Sequence, residues 1–170
     1  MNKLIHLNKY TRLYEENKLL DDKFDKLYDN NSKDIITKNI LALLIELGEL
    51  GNESRCFKYW STKKPSEDKI ILEEFADCLL VTLFFCNHLN VCLEEDFNEV
   101  EQKNIIEQFI CLYKEVSLLL EDYHKERAKN ILVNLIYLGY LLGYTDEDLI
   151  SAGLTKINKN NKRFATGFNE

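Results

Sequence analysis

Two acidic couplets set inside apolar, helix-period sequence constrain this chain more than any other feature. In ILALLIELGELGNESRCFKYW, Glu46 and Glu49 stand three residues apart, and in KIILEEFADCLLVTLFF, Glu74 and Asp77 repeat that spacing. A helix turns every ~3.6 residues, so each couplet projects from one face, one turn apart. Carboxylates among aliphatic side chains are costly unless something compensates their charge. Four of them together repel by about 4 kcal/mol per pair at ~4 Å and an effective dielectric near ~20. A divalent cation removes both penalties, so the spacing predicts a helical bundle with a Glu/Asp cage for Mg²⁺.

The chain can hold one such bundle. A length of 170 residues suits one buried core, and a single proline with six glycines favours helices over a turn-rich β fold. One all-α domain over residues 1–170, of five to six helices, is therefore expected. The net charge of −7 invites neither a nucleic-acid polymer nor an anionic membrane. The start, MNKLIHLNKYTRLYEE, has no apolar signal region, and the apolar run from Cys78 to Cys86 is too short to span a bilayer. Five cysteines without a C-x-x-C, mostly in apolar stretches, read as reduced core thiols of a cytoplasmic protein.

Periodicity places the helices. The first takes Leu4, Leu7, Tyr10, Tyr14, Leu20, Phe24 and Leu27 and ends near Asp29-Asn30-Asn31. Ser32 caps a second that runs towards Trp60, with Gly48 and Gly51 allowing a close approach. After the loop STKKPS, Ser66 caps a third from Glu67 to about Leu89, the most apolar and the central one. A fourth spans about Leu93 to Leu120 with Phe97, Val100, Ile105, Phe109, Leu112 and Val116 inward. A fifth runs through Leu132, Leu135, Ile136 and Leu142 to a stop at Gly143, and Thr145 with Asp148 forms a capping box for a sixth.

Acids three apart occur four times, and environment separates them. Asp22/Asp25 and Asp96/Glu99 sit among polar residues and read as solvated faces. The other two couplets have aliphatic neighbours. Ala42, Glu46, Glu49, Glu53 and Trp60 form one stripe of the second helix; Ile70, Glu73 or Glu74, Asp77 and Val81 line the third. Consecutive helices on a short loop pack antiparallel, so the couplets can face each other. All-oxygen ligation suits Mg²⁺ or Mn²⁺; the plainer alternative is a groove of acids paired with lysines. A di-iron site needs two Glu-x-x-His motifs, and only Glu121-x-x-His124 is present. No G-x-S-x-G, Walker loop or G-x-G-x-x-G occurs. Lys58 follows the acidic stripe, and Lys156, Asn160 and Arg163 share a helical face in the basic tail. Cations opposite a carboxylate–Mg²⁺ cluster suit a nucleoside triphosphate; a solvated basic tail is the alternative.

These residues resemble the dimeric, all-α dUTPases of the MazG-like NTP pyrophosphatase superfamily. ALLIELGELGNESRCFKYWS and ILEEFADCL carry the likeness most closely, from about Leu41 to Leu80, and residues 90–145 least. The resemblance implies a homodimeric, Mg²⁺-dependent dUTP diphosphatase giving dUMP and diphosphate, with two or three ions held by Glu46, Glu49, Glu74 and Asp77. Among these acids, Glu49 is the one expected to orient or deprotonate the attacking water. Lys58 and Trp60 match the family's F-K-x-W-S segment beside the substrate. The tail LTKINKNNKRFATGF resembles K-x-x-x-N-x-x-R-Q-x-x-G-Y, so that residues 155–170 complete the site through Lys156, Asn160 and Arg163. LYEENKLLDDKF resembles L-F-x-M-Q-x-x-L-D, which aligns Asn17 with a uracil-contacting glutamine and Asp21 with the aspartate. Asn17 is one methylene shorter; Ser54, Cys78, Leu80 and Phe164 also depart from the pattern. Two other readings stay open: a related enzyme for another nucleotide such as dCTP or a damaged NTP, and a non-catalytic helical interaction protein.

Overall fold

The computed structural model describes residues 4–28, 33–94, 96–97 and 103–167. Among the described residues, six α-helices carry the fold: α1 Thr11–Tyr28, α2 Lys33–Ser54, α3 Asp68–His88, α4 Ile105–Ser117, α5 Lys125–Leu141 and α6 Asp146–Thr166. A two-residue strand β1, Ile5–His6, pairs antiparallel with β2, Asp96–Phe97, in the register Ile5 to Phe97 and His6 to Asp96.

The burial pattern explains the order of the layers. On α2, Ile40, Leu43, Leu47 and Leu50 are buried at helical spacing, while Leu41 and Ile45 on the other side are exposed. On α3, Phe75, Ala76, Cys78, Leu79, Leu83, Phe85 and Cys86 are all fully buried, so this helix is apolar nearly all round. It is accordingly the centre of the bundle and packs against α1, α2, α5 and α6. Helix α4 closes the side next to α2 and α5. Among the described residues, no helix is long and apolar enough to cross a membrane.

Local chemistry sets the later boundaries. Asn104 caps α4 through a capping box with Glu107, and Thr145 does the same for α6 with Asp148. Gly143, at φ +98°, turns the chain between α5 and α6 in a conformation that L-residues avoid. Gly153 lets α6 lie against α1: a Cβ there would stand 2.8 Å from Leu13 Cδ2.

Several sequence expectations are corrected. The first helix starts at Thr11, because residues 5–10 are taken by β1 and a 3₁₀ turn, Leu7–Tyr10. Helix α2 stops at Ser54, well short of Trp60. Arg55 adopts φ 54° and its guanidinium donates to Ser61 Oγ at 2.6 Å and to the Lys63 carbonyl at 3.0 Å, which folds the chain into a loop. Glu67, not Ser66, is the N-cap of α3; Ser66 Oγ donates to Glu53 instead. Helix α4 begins at Ile105, since β2 occupies 96–97 and the strong cap lies at Asn104. Of the five cysteines, all free, only Cys78 and Cys86 are buried, and Cys92 is exposed. Asp29, Asn30, Asn31, Ser32, Glu99 and Val100 lie outside the described residues.

Candidate metal centre and substrate pocket

Helices α2 and α3 are sequence neighbours that pack along each other, and their acidic faces meet. Glu46, Glu74 and Asp77 each turn one carboxylate oxygen into a common space, all within 4.8 Å of one another. Of the two candidates on α3, Glu74 therefore joins the cluster, whereas Glu73 faces α6 and pairs with Lys159. Glu49 is exposed and stands outside the group of three. Its charge still raises the pKa values of both Glu46 and Glu74. Glu53, further along α2, accepts from Ser66 and adds to the field on Glu74.

The electrostatics follow from burial and crowding. Burial is the main cause that pushes Glu46 up to about 7, with repulsion from Asp77, Glu49 and Glu74 adding to it. Burial also raises Glu74, reinforced by Asp77 and Glu49. Asp77 is raised by burial even though Lys156 opposes the shift. Lys156 Nζ lies 2.6 Å from Asp77 Oδ2 and 3.6 Å from Glu73 Oε1.

One turn further along α3 lies a pocket of about 320 Å³, lined among others by Asn17, Asp21, Phe24, Asn39, Phe84 and Asn160. Asn17 is 1% exposed. Its Nδ2 donates to Asp21 Oδ2 at 3.0 Å and to the Leu80 carbonyl at 3.2 Å. Both partners are acceptors, so the amide orientation is determined and Oδ1 is the acceptor end. Burial pushes Asp21 up to about 7, opposed by a hydrogen bond from Asn87. Phe164 meets Phe24 edge-to-face at 5.4 Å beside this pocket.

The remaining sequence candidates lie apart. Trp60 is not on the α2 stripe but on the loop after it, 64% exposed, with Tyr59 edge-on at 5.1 Å. Lys58 Nζ sits 5.5 Å over the Phe57 ring on the same loop. Arg163 is exposed, three residues beyond Asn160 on α6. Lys58, Trp60 and Arg163 line neither the cluster nor the pocket. Sequence reasoning passed over Phe24, Asn39, Phe84 and Asn87, isolated residues whose only signal was a polar or aromatic side chain within a helix.

Six helices that converge three carboxylates beside an amide-lined pocket define an all-α bundle with an oxygen-donor cage. The sequence matches the model of the dUTPase family over residues 9–168, and the chain belongs to that family. Membership makes it a hydrolase acting on the phosphoanhydride bond of dUTP. A comparison with curated proteins found no match.

Proposed function

We propose that the chain is a divalent-metal-dependent dUTP diphosphatase that converts dUTP and water to dUMP and diphosphate. One observation carries this reading: the short stretch Glu74–Val81 of α3 borders both the carboxylate cluster and the pocket. Asp77 of the cluster and Val81 of the pocket lining are four residues apart, a helical rise of about 6 Å, so phosphates at the cluster and a base in the pocket belong to one ligand.

The donor set fits a hard ion. Three carboxylates, lifted above their ordinary pKa values by burial and mutual repulsion, are relieved by a divalent cation. Glu46, Glu74 and Asp77 would hold Mg²⁺, or Mn²⁺ in its place, and Glu49 would add the ligand needed for two or three ions. When bound, such ions would neutralise the triphosphate and lower the pKa of a water they hold. Glu49 orients the attacking water and takes its proton. The water oxygen bonds to phosphorus at the α–β bridge, the bridging P–O bond breaks, and diphosphate leaves. Lys156 balances phosphate charge beside the cluster, and the family resemblance adds Lys58 and Arg163 to that task and sets Trp60 beside the substrate.

Asn17 offers Oδ1 to the base because its amide hydrogens are committed to Asp21 and Leu80. Uracil presents an N–H to such an acceptor, whereas cytosine presents a lone pair at the same ring position. That favours dUTP over dCTP. Asp21, Asn39 and Asn160 complete the polar lining.

The functional unit is a homodimer. Leu41 and Ile45 of α2 and Ile106, Ile110 and Tyr113 of α4 are apolar side chains 37–65% exposed on two helices that pack together, a group suited to an interaction surface. Free thiols fit a reducing, cytoplasmic setting.

The deciding assay is diphosphate release from dUTP, dCTP and dTTP with Mg²⁺ and with EDTA. Release from dUTP that EDTA abolishes is expected. Equal or faster release from dCTP, or from a damaged NTP, would reassign the substrate. No release from any nucleotide would leave a helical interaction protein on this scaffold.

A further inference from the structure

We propose that Lys156 is a resident counterion of the carboxylate cluster, and that a divalent cation must displace it from Asp77 to bind. This rests on the metal reading above. Helices α3 and α6 pack together, and between them runs a ladder of alternating charge. Asp77 meets Lys156 at 2.6 Å, Lys156 meets Glu73 at 3.6 Å, and Glu73 meets Lys159. The spacing makes the ladder regular: Glu73 and Asp77 are four apart on α3, Lys156 and Lys159 three apart on α6.

Lys156 differs from an ordinary surface lysine. Its side chain is only 12% exposed, and its ammonium is hydrogen-bonded to one of the three carboxylates that converge on the cluster. The carboxylate that holds this ammonium so closely is also one of the three that a metal in the cluster would use, and two cations sharing one carboxylate repel. Lys156 also has somewhere to go. It borders an open groove of about 540 Å³ between α3 and α6, whose walls include Lys69, Leu72, Thr155 and Lys159, and Glu73 is there to receive it. In the metal-free protein Lys156 therefore takes the place of the ion. In the loaded protein it moves towards Glu73 and the groove, where a substrate phosphate can draw it back.

The full chain, stripped of metal, is titrated with Mn²⁺ by paramagnetic resonance, without nucleotide. Lys156→Met removes the competitor and should tighten Mn²⁺ binding by about tenfold, the worth of a hydrogen bond between charged groups. Lys156→Arg keeps the charge and should leave affinity within about threefold of the parent. Lys159→Met removes a charge that touches Glu73 but not Asp77 and should change affinity less than Lys156→Met. Melting in EDTA gives a second readout: the Lys156→Met protein should melt lower than the parent and gain more from Mn²⁺. Unchanged or weaker Mn²⁺ binding by Lys156→Met overturns the counterion role alone. So does an equal gain from Lys159→Met. A parent protein that takes up no Mn²⁺ removes the metal reading and this role together.

Discussion

Asn17 of α1 donates across the bundle to the backbone carbonyl of Leu80 on α3, at 3.2 Å, while its second amide hydrogen goes to Asp21 at 3.0 Å. One buried side chain thus joins two helices and leaves a single acceptor at the pocket. Asn17→Ala removes the donor from the buried Leu80 carbonyl and from the half-buried Asp21 carboxylate, and a buried acceptor left without its donor costs about 1–3 kcal/mol. The expected outcome is a lower melting temperature and a KM for dUTP raised at least tenfold. Chemical denaturation and steady-state kinetics check both; a variant with unchanged KM would detach Asn17 from base recognition.

Glu49 is exposed and outside the converging oxygens, so its side chain carries little of the packing. Glu49→Gln should abolish diphosphate release while the melting curve in EDTA stays close to that of the parent. Near-normal turnover would return the role of proton acceptor to another group.

The metal-free protein should lose stability as pH rises from 4.5 to about 7. Burial raises Glu46 from 4.5 to about 7 and raises Glu74 and Asp77 in the same direction. The folded state then holds protons that the unfolded chain has released, and stability falls with pH across that window. Asp21, pushed up to about 7 by burial, acts in the same sense from the pocket. Saturating Mg²⁺ should flatten the part due to the cluster, because an ion binding only the folded state stabilises it. Asp21→Asn should remove the rest. Melting temperatures across pH, with EDTA and with Mg²⁺, give the comparison; a slope indifferent to Mg²⁺ contradicts the cage.

Ile110 is 65% exposed on α4 and Ile45 is 52% exposed on α2. A charge at the centre of an apolar interface is strongly unfavourable. Ile110→Glu or Ile45→Glu should convert a dimer to a monomer, read as a halving of the mass by light scattering. A parent chain that is already monomeric would exclude this face as the dimer contact.

What sequence alone determined here is what short-range chemistry controls. The Thr145–Asp148 capping box, the turn at Gly143 and the burial stripe Ile40, Leu43, Leu47 and Leu50 depend on residues within one or two helical turns. So does the projection of each acidic couplet from one helix face. Tertiary packing decided the rest. It chose Glu74 over Glu73 for the cluster, set Lys156 against Asp77 rather than towards solvent, and paired residues 5–6 with the distant residues 96–97. It also ended α2 at Ser54, where Arg55 found Ser61 and Lys63, and so moved Trp60 off the stripe. Those outcomes depend on which side chains meet across the bundle, and helical periodicity carries no information about a partner on another helix.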